Sequence, residues 1–389
     1  MGITRRRAGA LLGSGVVSIA LVLASSATAN ASPRHGDHGG GSRVAVNQTN
    51  LVSDEAGQAP LVDPNLINPW GLSFGTGATP TPVWVSDNGA DVSTLYKGVT
   101  TPPSFAKVPL TVSIPGGAPT GQVFNGSATD FVVHSGSASG AAKFIFDSEA
   151  GWIVGWNTNV PAANSTQATP AVQVPNAVFK GLALASAGGA NYLYATDFHH
   201  GKVDVFDSTF TLQHWSGAFR DKHIPDGYAP FNIALLNGDL YVTYAKQDAA
   251  KHDDAPGAGH GFVDVFSTSG HLLSRLVSRG GLNSPWGLAI APSSWGSLAG
   301  SLLVGNFGDG RIHAYDPTSG HSMGALRDAH GMKITIDGLW GLLPGNGVAA
   351  DAQSVIFSAG PDGEAHGLVG VLQAAVVSGK DGDGDADDM

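Results

Sequence analysis

Several residue groups capable of chemistry recur along the chain, each just after an apolar run. They are Asp87 with Asn88, His134, Asp197 with His199 and His200, Asp248, Asn306 with Asp309, and the trio Asp362, Glu364 and His366. If they converge, one oxygen-bearing group per segment could hold a hard cation such as Ca2+. The strictest set is Asp87, Asp197, Asn232 and Asn306. A cation held there would polarise a carbonyl and lower the pKa of a bound water, and a nearby carboxylate would act as base, which is hydrolase chemistry. The same residues also have a plainer reading, because Asp, Asn and Gly are what tight hairpins require.

A second group lies in one long insertion, "AKQDAAKHDDAPGAGHG" at 245–261. His252, Asp253 and His260 could ligate a transition metal, or Lys246 and Asp248 could bind a polar ligand. Their spacing matches no metal motif, and a solvated insertion accounts for the same composition. Together with Asp87, Asn88, His134 and His199, these five residues make the candidate ligand-binding face. His199 and His200 are adjacent, so in a strand or turn they point apart and do not share one metal. The Gly/Ser-rich "HSGSASGAAK" (134–143) lacks the strand-to-helix context of a nucleophile elbow. There is no phosphate loop, CxxC or HExxH in the sequence.

The elements that must position these groups form a repeat. The phrases "PWGLSF", "VFNGSA", "FKGLAL", "PFNIAL", "PWGLAI" and "LWGLLP" place anchors at Gly71, Gly126, Gly181, Asn232, Gly287 and Gly341, in steps of 55, 55, 51, 55 and 54 residues. After each anchor comes a second apolar run: "PVWVSD" (82–87), "TDFVVH" (129–134), "NYLYATD" (191–197), "GDLYVTY" (238–244), "SLLVGN" (301–306) or "SVIFSA" (354–359). Third runs such as "KFIFD" (143–147) and "KVDVFD" (202–207) come next, and then a fourth. These runs are short, rich in Val, Tyr and Phe, and separated by turn residues, which is the strand signature. Four antiparallel strands in each of six units predict an all-β fold, a six-bladed β-propeller. The anchor is read as the innermost strand, with Gly allowing close approach and the preceding Trp or Phe filling the wedge between sheets. Residues 43–53, "RVAVNQTNLVS", are expected to become the outer strand of the last blade and close the ring.

The unit "GLALASAGGANYLYATDFHHGKVDVFDS" (181–208) resembles the NHL repeat. "NLVSDEAG" (50–57), "DPNLINPWGLS" (63–73), "WVSDNGADVSTLYKG" (84–98) and "VTYAKQDAAKHDD" (242–254) resemble a family of secreted bacterial propellers. The resemblance implies the fold and no reaction. NHL-related calcium-dependent lactonases carry an acidic ring in their channel, so the relationship to NHL repeats implies a lactonase- or esterase-like alternative to a binding module.

Composition narrows the partners. Charged residues make up 13% of the chain and the net charge is −11, which argues against the basic surface that nucleic acid or an anionic membrane needs. Arg5–Arg7, an apolar run from Ala8 to Ala27 and Ala29-Asn30-Ala31 read as a signal peptide over 1–31. After it are expected a flexible leader at 32–43, a propeller at 44–375 and an acidic, disordered tail at 376–389; the tail's Asp381, Asp383 and Asp385 lack the Gly and Glu of a calcium loop. With no Cys, the core must stand without disulfides. The expected product is a secreted, extracellular monomer with no membrane span after cleavage, binding a glycan, a peptide or an envelope protein.

Overall fold

β-Branched and aromatic runs punctuated by Gly, Asn and Asp give strands and tight hairpins. The computed structural model describes residues 43–75, 81–100 and 103–377. The expected signal peptide, nearly all of the leader and nearly all of the acidic tail lie outside the described residues. Among the described residues no helix is long and apolar enough to cross a membrane.

In chain order, β1 (Arg43–Ser53) and the short β2 (Leu61–Val62) precede blade 1, made of β3 (Pro69–Ser73), β4 (Val83–Asp87), β5 (Val92–Thr100) and β6 (Pro103–Ser113). Blade 2 begins with β7 (Pro119–Phe124). A separate hairpin of β8 (Val132–Ser135) and β9 (Ala138–Ala141) intervenes before β10 (Phe144–Ser148), β11 (Trp152–Trp156) and β12 (Thr169–Gln173) complete the blade. Blade 3 is β13 (Phe179–Ala187), β14 (Ala190–Asp197), β15 (Lys202–Asp207) and β16 (Leu212–Gln213). Blade 4 is β17 (Tyr228–Leu236), β18 (Asp239–Lys246), β19 (Phe262–Phe266) and β20 (Leu272–Ser278). Blade 5 is β21 (Pro285–Ile290), β22 (Leu302–Asn306), β23 (Ile312–Tyr315) and β24 (Ser322–Ala325). Blade 6 is β25 (Leu339–Pro344), β26 (Ser354–Ala359) and β27 (Leu368–Val377), with β1 as its fourth strand. The expected six-bladed, four-stranded propeller is what the strands build. β1 runs antiparallel to β27 from Arg43 opposite Val377 to Ser53 opposite Leu368, as the sequence predicts for the closing strand.

Blade 2 departs from the sequence reading. The run at 129–134 is not its second strand: it falls in the extra β8–β9 hairpin, and "KFIFD" moves up to be the second. Its anchor is Gly121, not Gly126. A Cβ on Gly121 would collide with the backbone of Leu182 in the next inner strand, whereas one on Gly126 would meet only Phe124 Cε1 at 3.6 Å. The near-constant steps hid this, because the hairpin inserts residues between the first and second strands of that blade.

The anchors share one geometry. Each inner strand skips its ladder there: between Pro69 and Leu72, Phe179 and Leu182, Pro230 and Asn232, Pro285 and Gly287, and Leu339 and Leu342, and opposite Thr120 and Gly121 in blade 2. Such a bulge bends the strand and leaves carbonyls unpaired. Neighbouring blades take them up: Ser358 Oγ donates to Trp70 O (2.5 Å), Thr120 Oγ1 to Phe179 O (2.9 Å) and Asn232 Nδ2 to Trp286 O (2.7 Å).

The two glycines of blade 2 make the register testable. Gly121→Ala is expected to destabilise the protein by at least about 2 kcal/mol and Gly126→Ala by under about 0.5 kcal/mol, measured by denaturant titration. Equal effects would contradict the inner-strand assignment.

Candidate functional site

Strand pairing places the start of every inner strand beside the turn that follows the second strand. Pro69 is opposite Asp87, Pro119 opposite Ser148, Phe179 opposite Asp197, Tyr228 opposite Lys246 and Pro285 opposite Asn306. These turns form one mouth around the propeller axis.

The sequence reading put the aromatic residues before the anchors in the wedges between sheets; instead they meet each other at the axis. Trp70 stacks on Trp340 at 3.5 Å, Phe307 stacks on Trp340 from the other direction at 4.0 Å, and Trp286 meets both tryptophans edge-on at about 6 Å. Phe198 and Phe231 complete this buried plug. The bulge explains it: a bent strand turns the residue ahead of the anchor inward, where aromatic side chains from several blades bury one another.

Blade 3 has Lys180 in that slot. Its side chain is 1% exposed and its Nζ lies 5.1 Å from the Trp70 ring centroid. A buried ammonium must be paired. Lys180 Nζ donates to Glu149 Oε1 from the blade 2 turn and to Asp253 Oδ1 (3.1 Å) from the long loop of blade 4. Burial acts against its charge, but the two carboxylates outweigh it and hold its pKa above the ordinary lysine value. The network continues through side chains of four further groups. Asn88 Nδ2 donates to Glu149 Oε2 (3.2 Å), and Asn68 Nδ2 donates to Asn88 Oδ1 (3.3 Å) and to Glu364 Oε2 (2.6 Å). Trp340 Nε1 donates to Asn68 Oδ1 (3.0 Å), fastening the network to the plug below. Burial, only partly offset by the Asn68 hydrogen bond, raises the Glu364 pKa, and Glu149 nearby adds to it. Asp253 is held below the usual carboxylate range because Lys180 and His252 outweigh its burial.

The loop at 245–261 is solvated over much of its length, with residues 246, 249–253, 256 and 258 exposed, but it is pinned at three points. Gln247 Nε2 donates to Phe198 O (2.5 Å), Asp253 reaches Lys180, and Gly257 N donates to Asn283 Oδ1 (2.6 Å), so the loop ties blades 3, 4 and 5. Asp248 accepts His252 N (2.9 Å), shaping the turn that delivers His252 and Asp253 to the mouth. Lys246 ends β18 and is exposed, and His260 Nδ1 lies 2.8 Å from Ala255 O inside the loop. Of the predicted binding face, Asn88, His252 and Asp253 come together. His134 does not join them: it is exposed on the β8–β9 hairpin, which follows the far end of β7.

The predicted oxygen set is dispersed. Asp87 is fully buried beside Thr94, and burial raises its carboxyl well above the ordinary range. Asp197 Oδ2 is 2.6 Å from His200 Nδ1, while His199 packs edge-on against the His200 ring. Asn306 Nδ2 donates to Gly281 O (2.8 Å) and to Asp309 Oδ1 (3.1 Å), and both ends of the Asn232 amide are bonded, to Ile233 N and Trp286 O. Asp197, Asn232 and the Nδ2 of Asn306 bond within their own blade or beside it, whereas neither oxygen of Asp87 has a hydrogen-bond partner. His366 and Asp362 lie at the closing seam, where His366 Nδ1 is 2.9 Å from Asp54 Oδ2.

A different group could hold a metal ion. Glu149, His252 and Asp253 each bring one ligand atom within 4.8 Å of the others. Lys180, however, already binds an oxygen of both Glu149 and Asp253. The sequence reading missed Glu149, Lys180 and Asn68. Two signals were present: a lysine in a slot otherwise held by Trp, Phe or Thr, and a "DSEAG" turn that a correct blade 2 register would have placed at the mouth.

No family model matches the chain. It is 34% identical over 329 residues to protein R648 of Acanthamoeba polyphaga mimivirus, covering 83% of this chain and 78% of that one. It is also 34% identical over 339 residues to mimivirus protein L690, covering 83% of this chain and 84% of that one. Both relatives are described as uncharacterised. They are viral, so the bacterial origin suggested by the sequence resemblance is not supported. Among solved structures the chain is similar to streptogramin B lyase (11% identity, TM-score 0.44, 85% of this chain and 98% of that one). An α-L-arabinofuranosidase of Fusarium graminearum is similar at 10% identity and TM-score 0.49, over 84% of this chain and 97% of that one. Neither likeness carries an argument about chemistry.

Removing the ammonium should strand two carboxylates. Lys180→Met is expected to cost on the order of 3 kcal/mol, and adding Glu149→Gln should recover a large part of it, measured by denaturant titration as a double-mutant cycle. Additive losses would mean the pair is not coupled. The Thr120-bonded Asp147 of blade 2 gives a pH test: burial lifts its pKa to about 7. The unfolded chain ionises near the ordinary value while the folded chain stays protonated, so stability falls as pH rises from about 4 to about 7. Asp147→Asn should therefore melt above wild type, by at least about 2 °C, at alkaline pH, with the difference shrinking toward acid. A pH-independent difference would contradict it.

Proposed function

We propose, on the premise that this chain belongs to the family of the mimivirus proteins R648 and L690, that it is a binding module whose mouth recognises a glycan. The observation that carries this reading is the preformed network of Glu149, Asp253 and Glu364 around the buried Lys180. Lys180 is buried and gives two of its three donors to Glu149 and Asp253, so what faces a ligand is mostly carboxylate and amide. Such a surface favours a partner rich in hydroxyl donors, and fixed acceptors on a rigid scaffold cost little to order on binding. The basic start and apolar run at the N-terminus support export in this reading, with the protein acting as a monomer on an extracellular or envelope glycan.

A metal-dependent, lactonase-like hydrolase is the second reading, and the Glu149–His252–Asp253 group favours it. The imidazole in that set suits a transition metal better than Ca2+. A divalent ion there would have to displace the ammonium from both carboxylates, so the residues fit it poorly while Lys180 is charged.

A glycan array and metal analysis by mass spectrometry on the purified protein separate the two. The binding reading expects saturable binding to a defined glycan class, weakened at least roughly tenfold by Asp253→Asn or Glu149→Gln, and no stoichiometric metal. Binding to basic peptides alone, or one tightly held metal per chain lost on His252→Ala, would overturn it.

A further inference from the structure

One side chain holds down the connection from blade 3 to blade 4. Arg220, Lys222, His223, Asp226 and Gly227 of this strap are exposed, and Ile224 is its partly buried apolar contact. Among the described residues, three hydrogen bonds tie the segment 220–227 to the rest of the protein, and Arg275 of β20 supplies two of them. Its Nη2 pairs with Asp221 Oδ2, and its Nη1 donates to His223 O (3.2 Å). The third runs from Gln247 N to Gly227 O (2.8 Å), at the root of the long loop of blade 4.

Arg275 also faces a second acid. Asp264 of β19 is its direct cross-strand partner and is fully buried. Neither Asp264 oxygen accepts a hydrogen bond and Arg275 Nε donates none, although Nε lies 3.5 Å from Asp264 Oδ1. One guanidinium thus stands between two carboxylates, with its bond to Asp221 made and its bond to Asp264 unmade. The guanidinium is a rigid fork, so moving Nε onto Asp264 moves Nη1 and Nη2 as well.

The titratable and charged groups facing Asp264 are Asp221 on the strap, Arg275 on β20 and Tyr244 on β18. Burial and the two acids keep Tyr244 neutral. Burial, and then the charge of Asp221, raise Asp264 to about 7 against the pull of Arg275. With the strap lifted, Asp221 leaves and Asp264 has Arg275 to itself, so it gives up its proton more easily than with the strap down. The strap-down state therefore holds more protons. It is favoured at acid pH and loses ground as pH rises through about 7.

We propose that Arg275 is a pH-operated latch for the 220–227 strap: Asp221 and Asp264 compete for its guanidinium, and ionised Asp264 draws it off the strap. The latch does not depend on what the mouth binds.

The test follows amide hydrogen exchange of 220–227 in the full protein by mass spectrometry at about pH 6 and about pH 8.5, corrected for the intrinsic pH dependence of exchange. Strap exchange is expected to rise by at least roughly threefold, the equivalent of about half a pK unit, while β14 does not change. Asp264→Asn should keep the strap at its acid-state protection at both pH values, and Asp221→Asn should leave it fast at both. A strap with no pH step, a step that persists in folded Asp264→Asn, or an equal step in β14, which would mean global opening, would overturn the proposal. If Asp264→Asn does not fold, Asp221→Asn decides, because a pH step retained without Asp221 rules out the competition.

Discussion

Six inner strands have to begin within reach of a single axis, and there is no room at their closest approach for a side chain on the facing residue. That crowding governs the anchors, the bulges and the layers stacked along the axis. Five anchors meet it with Gly, and at Gly71, Gly121, Gly287 and Gly341 a Cβ would run into the backbone of a neighbouring inner strand. The fourth uses Asn232 and turns the difficulty into a bond, since its amide reaches the carbonyl of Trp286. The bulge at each anchor is the backbone's part of the same solution: it frees carbonyls from the ladder, and hydroxyls and amides of adjoining blades take them up. Inter-blade cohesion thus comes from a backbone irregularity as much as from the apolar clusters between sheets.

The bulge produces the aromatic plug, and the plug sets the character of the mouth. Trp70, Trp286 and Trp340 give the polar network a dry, rigid floor, so the one lysine that enters this layer cannot remain unpaired. Glu149 and Asp253 come from turns of the two blades flanking Lys180, and the long loop of blade 4 is held in place by the demand of that charge. A loop of such composition would otherwise sit loosely in water.

The fold was legible because its determinants are local and repeated: period, strand composition, turn residues, and a leftover first strand with a missing last one. Blade 2 was misread because a hairpin with strand-like composition, "FVVHSGSASGAA", preserved the spacing while displacing the register. At the mouth, Asn88, His252 and Asp253 could be picked out from turn position and loop length. Lys180 could not be partnered from sequence, because Glu149 lies 31 positions before it and Asp253 73 after it. The supposed cation ligands were chosen by residue type, three at the ends of second strands and Asn232 at an anchor, and type alone does not reveal that Asp197, Asn232 and Asn306 form hydrogen bonds within or between the blades.

The closing strand carries a mechanical consequence. β1 is joined to β27 along its whole length, and the side chain of Ser53 donates to the carbonyl of Gly367 across 314 positions of sequence. Every other blade is built from neighbours in the chain, so five sheets can form by local zippering while the sixth must wait for its two ends to find each other. The seam is therefore the last part of the ring to form and the place where a pulling force on the two ends, which leave the propeller side by side at Arg43 and Val377, would be felt first. Strand-by-strand shear along ten residue pairs, rather than peeling of a single hairpin, is what resists it, so the toroid behaves as a clasped belt whose buckle bears the load.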